Sequence, residues 1–198
     1  MTNQWIMSFE KLMSDLEVKA LRTTLETGAI IAKTKARQGP VRDQCVIEFA
    51  LGTGLRVSEI SQLKLDDIDL KRGGNSLIVR HGKGDKQRVV KFSSTLKNLI
   101  LEYIEYRDKD SEYLFPSERQ EYMSSNALQK VFKKWAMKAG LPARYSIHSC
   151  RHYYATALLK VSRNLRLTQV QLGHSNPQTT TVYAQVLDEE LDEAVEKL

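Results

Sequence analysis

The chain has 198 residues, of which 41% are hydrophobic and 27% charged, an ordinary composition for a globular protein with one well-buried domain or two small ones. No run of about 18 apolar residues exists and the first fifteen residues lack a signal-peptide pattern, so neither a membrane span nor secretion is supported and an intracellular location is expected. The net charge is +6, and because residues 188–198 (DEELDEAVEKL) carry −5, residues 1–187 carry +11, which favours a polyanionic partner such as nucleic acid.

Helical periodicity dominates the first third of the chain. Residues 14–17 have the capping-box form, and apolar residues then recur at helical spacing up to Gly28, which predicts a helix over about 15–27. After a basic connector, KTKARQGP, residues 42–50 are typical of a buried helix, which GTGLR ends before another helix starts at Val57. This break places Arg56 at the beginning of a helix, where its side chain can project into a shared site.

The middle of the chain contains a predicted β-hairpin. Residues 76–80 and 87–92 are rich in Val, Ile and Phe, and the glycines of HGKGDK between them permit a tight reversal. Helices are then predicted over about 95–107, 126–139, 149–161 and 166–172, with Gly140 and Gly173 as stops, and a last amphipathic helix lies between Leu187 and Leu198. The sequence therefore predicts an α+β fold, mainly α-helical with a small antiparallel β-sheet.

The first strand of the hairpin ends in Arg80-His81-Gly82, which is also how the phosphohistidine site of histidine phosphatases begins. A phosphatase needs that strand to lead into a helix that supports a phosphate pocket, whereas here a second strand follows. A motif of three residues is also weak evidence alone. We therefore interpret His81 as incidental and the basic turn beside it as the informative part of this segment.

The sequence lacks the cysteine and histidine patterns of a structural zinc site or a disulfide framework. Cys45 and Cys150 are the only cysteines, without CxxC or Cys/His spacing, so a disulfide framework and a structural zinc site are both excluded. Each cysteine is predicted to be a buried thiol.

Four segments of the chain carry side chains suited to binding one phosphate group together. They are GTGLRVSEI with Arg56, the hairpin with Lys83, HSCRHYYAT with His148 and Arg151, and LGHSNPQTTTVYAQV with His174 and Tyr183. His148 and Arg151 lie three residues apart at the start of a predicted helix, so both can share one face beside the partial positive charge of its N-terminus. Singly, each residue is explained as a solvated, capping or packing side chain. Their joint occurrence indicates a site.

In this order the four segments resemble the catalytic domain of the tyrosine recombinases, the family of phage integrases and Xer-type recombinases. The resemblance runs from about residue 14 to the C-terminus, and the joint occurrence of the segments is far more specific than any one of them. HSC before the second arginine departs from the more usual acidic and apolar residues but touches no catalytic position. The resemblance implies an extension or linker over 1–13, a catalytic domain over 14–187 and an acidic C-terminal helix or tail over 188–198, with the N-terminal core-binding domain of most members absent from this chain.

The resemblance implies a site-specific DNA recombinase or integrase that cleaves and rejoins strands through a 3′-phosphotyrosyl intermediate without a metal or cofactor. Strand exchange without an external energy source requires that the broken phosphodiester be kept as a covalent ester, and Tyr183 would be the nucleophile. Arg56 and Arg151 would fork onto the non-bridging oxygens of the scissile phosphate.

The remaining residues would assist proton transfer and orient the phosphate. Lys83 would protonate the departing 5′ oxygen, His148 would assist proton transfer at the tyrosine, and His174 would hydrogen-bond a phosphate oxygen. Lys86 lies in the same turn and rivals Lys83 for the first role. Glu59, three residues after Arg56, is expected to support the site through a buried hydrogen bond, whereas His152 and Tyr154 are expected to pack.

The implied partners are double-stranded DNA at specific recombination sites and other copies of the chain. Family members act as homotetramers in a synaptic complex, and the free chain is expected to be a monomer or weak oligomer; accessory DNA-bending or directionality proteins are compatible with this function, and a membrane is not a partner. The acidic tail can dock on its own domain or on a neighbouring protomer, and both remain open.

The resemblance places the protein in the cytoplasm as a bacterial or phage-encoded enzyme of a mobile genetic element. Two alternatives remain: a non-catalytic DNA-binding regulator with the same fold, against which the intact set of six residues speaks, and a type IB topoisomerase-like activity.

Overall fold

The computed structural model describes residues 11–80, 87–107, 110–173 and residue 195, and these ranges form helices packed around one core with a small sheet at one side. The helices are α1 (Asp15–Thr34), α2 (Gln38–Thr53), α3 (Val57–Ser61), α4 (Ser94–Tyr106), α5 (Ser125–Lys138), α6 (Ile147–Ser162) and α7 (Leu165–Leu172). The strands are β1 (Ile68–Asp69), β2 (Ser76–Val79) and β3 (Arg88–Lys91). The predicted fold class, mainly α-helical with a small antiparallel sheet, is confirmed.

Helix α1 begins at the predicted capping box. The Ser14 hydroxyl accepts a hydrogen bond from the Glu17 backbone N–H at 3.3 Å, and Glu17 Oε2 accepts one from the Ser14 backbone N–H at 2.8 Å. The predicted stop at Gly28 is wrong, because α1 continues to Thr34. A Cβ on Gly28 would lie 2.2 Å from Cη2 of Trp135, so the missing side chain makes room for an indole of α5.

Helix α2 is the centre of the core and packs against α1, α4, α5 and α6. Nearly every residue from Val41 to Thr53 is buried, which explains why its sequence has no polar face. Cys45 on α2 and Cys150 on α6 are both fully buried free thiols, as predicted, and burial raises the pKa of each above its usual value.

The predicted hairpin is present as antiparallel β2 and β3, with Ser76 opposite Lys91 and Val79 opposite Arg88. The sheet has a third strand, β1, which pairs with β2 and had not been predicted because two residues are too short to show a period. Residues 81–86, with His81, Lys83 and Lys86, lie outside the described residues.

Helix α7 is attached to the free edge of the sheet through one glutamine. The Gln171 side-chain amide donates to the Lys91 carbonyl oxygen at 2.5 Å, and its oxygen accepts from the Lys91 backbone N–H at 3.3 Å. The amide thereby continues the strand hydrogen bonding, and the C-terminal end of α7 lies beside β3.

The predicted glycine stops after α5 and α7 are both found. Gly140 and Gly173 have φ of 71° and 66°, in the left-handed region that ends helices. The predicted last helix over 187–198 lies outside the described residues except for residue 195. In the part of the chain that is described, no helix combines the length and apolar character needed to cross a membrane.

Candidate functional site

Arg56 stands at the junction between α2 and α3, as the sequence predicts. Gly54 ends α2 with φ of 63°, and Arg56 is the extended residue that precedes α3. Its backbone N–H donates to Glu59 Oε2 at 2.8 Å, and its Nη1 donates to Glu59 Oε1 at 2.9 Å. The side chain is 27% exposed, so one part of the guanidinium contacts Glu59 and another part faces solvent.

Arg151, in the second turn of α6, is buried and links two distant segments. Its Nη1 donates to the Gly54 carbonyl oxygen at 2.6 Å, and its Nη2 donates to the Leu172 carbonyl oxygen at 2.9 Å. Both carbonyls are at the C-terminal ends of helices, where they lack an intrahelical partner. Because Gly54 is two residues before Arg56, the structure brings the two candidate arginines to one locality.

His148 lies one turn before Arg151 on α6 and is half-buried. Burial lowers the pKa of this imidazole, and the positive charges of Arg151 and Lys11 lower it further. His152, four residues after His148, is buried. Burial together with the charges of Arg151, His148 and Lys11 lowers the pKa of His152 to about 4. Both histidines are therefore neutral near pH 7, and His148 retains the ability to accept a proton.

Only 4% of the Glu59 side chain is exposed, and its carboxylate is paired with two arginines. Burial alone would raise the pKa of its carboxyl, but hydrogen bonds and charge from Arg88 and Arg56 bring the pKa below its usual value. A buried carboxylate is stable only when its oxygens are paired in this way.

Arg88, the first residue of β3, is a member of the site that the sequence did not reveal. Its Nη1 and Nη2 donate to the two oxygens of Glu59, each at 2.8 Å, and its Nε lies 3.4 Å from the Gln171 carbonyl oxygen. The side chain is only 10% exposed. No local pattern could have signalled this role, since Glu59 is 29 residues away and an arginine at the start of a short strand is usually solvated.

Together these contacts form a closed network from the α2–α3 junction through β3 and the end of α7 to α6 and back. We call it the arginine network, and its members are Gly54, Arg56, Glu59, Arg88, Arg151, Gln171 and Leu172. The network holds three arginines but only one carboxylate, that of Glu59, which makes this locality suited to an anion with several oxygens, such as a phosphate diester.

Four candidate residues, Lys83, Lys86, His174 and Tyr183, lie outside the described residues. In the chain, the segment with both lysines ends two residues before Arg88, and His174 directly follows Gly173 at the end of α7. Among the residues that the structure does describe, no group of three or more His, Cys, Asp or Glu side chains could hold a metal ion.

Residues 16–190 match the family model described as the phage integrase family. The tyrosine recombinase XerA of Thermococcus kodakarensis is 40% identical over 159 residues, covering 79% of this chain and 55% of the relative. The chain thus spans little more than half the length of that protein.

Solved structures show the same fold. A crystal structure of XerA recombinase is 25% identical with a TM-score of 0.76, covering 100% of this chain and 65% of the other. A structure of the XerH site-specific recombinase bound to palindromic difH substrate, a post-cleavage complex, has a TM-score of 0.79 at 24% identity and covers 95% of this chain and 53% of the other. The fold is that of a tyrosine recombinase catalytic domain, and the chain belongs to the phage integrase family.

Proposed function

We propose that this protein is a site-specific tyrosine recombinase, which cleaves and rejoins double-stranded DNA through a 3′-phosphotyrosyl intermediate formed on Tyr183. The observation that carries the proposal is the arginine network, which holds Arg56 and Arg151 in one locality although they come from opposite halves of the domain. Recombinase relatives along most of the chain support it.

The two arginines would bind the scissile phosphate. A guanidinium presents planar N–H donors that match two phosphate oxygens, and it stays charged at any pH at which the protein is folded. Arg56 and Arg151 would therefore offset the charge that grows on the non-bridging oxygens as the phosphorus becomes pentavalent. Arg151 is fixed by two backbone carbonyls, so little reorganisation is needed during the reaction.

In the cleavage step, the Tyr183 hydroxyl oxygen would form a bond to phosphorus while the bond from phosphorus to the 5′ oxygen breaks. The tyrosine proton would pass to neutral His148, and the leaving 5′ oxygen would take a proton from Lys83, or from Lys86 if that lysine reaches it. His174 would hydrogen-bond a phosphate oxygen. Attack by a second 5′ hydroxyl reverses each transfer and rejoins the strands.

Residues 14–187 would form the catalytic domain, with 1–13 as an extension and 188–198 as an acidic tail. The enzyme would act as a homotetramer on two DNA sites, with the tail docked on its own domain or on a neighbour. The XerH structure, a post-cleavage complex on a palindromic substrate, supports a DNA partner with two-fold symmetry. The place of action would be the cytoplasm of a bacterium or phage host, where the DNA is.

A covalent-adduct assay tests the proposal. The protein is incubated with a pool of nicked duplexes of randomised sequence, in the presence of EDTA, and denaturing gels reveal protein joined to DNA. We expect an adduct with the wild type and with His81→Ala, and none with Tyr183→Phe. An adduct that survives Tyr183→Phe would overturn the assignment of the nucleophile, and no adduct from the wild type would contradict the proposed function.

A further inference from the structure

We infer that Arg88 is a positioning residue that keeps the Arg56 guanidinium available for the scissile phosphate, an inference that rests on the proposed function. Arg88 would do so by occupying the Glu59 carboxylate, which otherwise competes with the phosphate for Arg56. The two arginines and the carboxylate are all described, and their contacts carry the argument.

The Glu59 carboxylate accepts four hydrogen bonds, two on each oxygen. Oε1 accepts from Arg56 Nη1 at 2.9 Å and Arg88 Nη1 at 2.8 Å, and Oε2 accepts from the Arg56 backbone N–H and Arg88 Nη2, both at 2.8 Å. Each carboxylate oxygen has about two lone-pair sites, so this carboxylate is saturated. Arg88 binds it through the bidentate fork, whereas the Arg56 side chain uses a single nitrogen.

The way in which Arg88 and Arg56 share the oxygens of Glu59 determines how Arg56 can act. An arginine and a carboxylate that meet alone prefer the bidentate pair, in which two N–H groups of the guanidinium face the carboxylate. Because Arg88 already occupies that arrangement, Arg56 stays at the side of Glu59 with one bond. Most of the five N–H donors of its guanidinium then remain for an anion that approaches from the exposed face.

Charge leads to the same conclusion. Arg56 and Glu59 alone would form a neutral pair, which attracts a phosphate weakly. Arg88 adds one positive charge to the cluster, which therefore keeps a net charge of about +1 beside a largely desolvated carboxylate. Arg88 thus offsets the charge of Glu59, and Glu59 can orient Arg56 without neutralising it.

Packing fixes Arg88 from the opposite side. A Cβ on Gly173 would lie 2.7 Å from Cδ of Arg88 and 2.8 Å from its Nε, so the stem of Arg88 lies directly against the backbone that ends α7. With its fork on Glu59 and its stem on Gly173, Arg88 has one orientation. A lysine at this position retains the charge but cannot fork.

A double-mutant cycle on cleavage tests the inference. Single-turnover rates of adduct formation are measured with saturating protein for the wild type, Arg88→Lys, Arg56→Ala and the double variant. We expect Arg88→Lys alone to slow cleavage on the order of 10- to 100-fold, and to have little further effect in the Arg56→Ala background. If Arg88→Lys slows cleavage equally in both backgrounds, it does not act through Arg56 and the inference is wrong.

Arg22→Lys is the matched control. Arg22 also pairs with a carboxylate through two contacts, Nε to Glu48 Oε1 at 3.0 Å and to Oε2 at 3.1 Å, but it lies on α1, and within the described residues no hydrogen bond or ion pair joins it to the arginine network. We expect cleavage by Arg22→Lys at the wild-type rate. A comparable loss in the control would mean that weakening an ion pair outside the arginine network also slows the enzyme, which contradicts the inference.

A second pair of variants remains informative if Arg88→Lys folds poorly. Arg88→Ala leaves Glu59 to compete for Arg56, whereas Arg88→Ala combined with Glu59→Gln removes both the buried charge and the competitor. The rate per folded molecule, with the folded fraction taken from circular dichroism, should be several-fold higher in the double variant. Equal or lower rates would overturn the inference, while a wild type that forms no adduct would instead defeat the proposed function.

Discussion

Arg151 donates a hydrogen bond from Nη1 to the carbonyl oxygen of Gly54, 2.6 Å away and 97 residues earlier in the chain. The carbonyl is free to accept because α2 ends there and the backbone turns into the left-handed region. The contact holds α6 against the segment that carries Arg56, so the geometry of both candidate arginines depends on one glycine.

Gly54→Ala should therefore impair both stability and cleavage. The substitution places a side chain at φ of 63° and a Cβ 2.4 Å from Cδ1 of Tyr154 and 2.9 Å from Cδ2 of Leu172. We expect a loss of roughly 2–5 kcal/mol in the free energy of unfolding, measured in urea, from backbone strain and overpacking together. Adduct formation should fall further than the folded fraction does.

Two other glycines separate these causes. Gly73 has φ of 81° but nothing within 4 Å of its missing side chain, so Gly73→Ala should cost only the strain, about 1–2 kcal/mol. Gly39 lies in the first turn of α2 with equally open surroundings, and Gly39→Ala should stabilise by about 0.5–1 kcal/mol. A Gly54→Ala variant no less stable than Gly73→Ala would show that the close contacts to Tyr154 and Leu172 can be relieved.

The rate of cleavage should decrease on the acid side with a midpoint below pH 6.5. Burial and the charges of Arg151 and Lys11 lower the pKa of His148 below the usual 6.5 of a histidine, so the imidazole stays neutral and can accept a proton down to that lower pH. Single-turnover rates between about pH 5 and 8 would locate the midpoint. In His148→Gln this limb should disappear along with most of the activity, and a limb centred above pH 6.5 would contradict the assignment.

Stability should also fall with pH, because of His152. Its pKa is about 4 in the folded chain against 6.5 for an unperturbed histidine, so below pH 6.5 the unfolded state binds a proton that the folded state does not. The folded state is therefore favoured most above pH 6.5 and loses roughly 3 kcal/mol from this residue as the pH falls to 4.

Urea unfolding of the wild type and His152→Gln at several pH values in this window would measure the effect. Whatever the starting stability of the variant, its decline between pH 6.5 and 4 should be shallower than that of the wild type. Parallel declines would show that His152 is not the titrating group.

Gly28→Ala should destabilise the packing of α1 on α5. The new methyl carbon would lie 2.2 Å from Trp135 Cη2, and the indole cannot swing away because its Nε1 donates to buried Asp43 at 2.9 Å. Overpacking of this kind costs about 1–3 kcal/mol. Thermal unfolding beside Gly39→Ala would measure it, and equal melting temperatures for the two variants would contradict this account of why α1 continues past Gly28.

Local signals predicted most of the helices and the hairpin, because each depends on neighbours in the sequence. The capping box at Ser14 and the stop at Gly173 are examples, since cap hydrogen bonds and left-handed backbone involve only residues within a few positions. The predicted helix end at Gly28 was wrong for the opposite reason. Gly28 lies inside α1 because the Trp135 indole packs against it, and Trp135 is far along the chain.

The candidate site divides in the same way. Arg56, His148 and Arg151 could be picked out because their segments resemble a known family, and the structure brings the two arginines together. The hydrogen-bond partners of Arg151 could not be predicted, since every residue has a backbone carbonyl. Only the folded chain places the carbonyls of Gly54 and Leu172 next to Arg151. Arg88 was missed because its role depends on its contact with Glu59 of α3, 29 residues earlier in the chain.

The distances along the chain within the arginine network have a consequence during synthesis. Arg151 reaches forward to Leu172 and back to Gly54, and Arg88 lies close to the carbonyl of Gln171, 83 residues later. A growing polypeptide can form α1 to α6 in turn, but the guanidiniums of Arg88 and Arg151 cannot both be secured before residue 172 has left the ribosome. A chain still being translated would thus lack the contacts of Arg151 with Leu172 and of Arg88 with Gln171 until α7 has emerged.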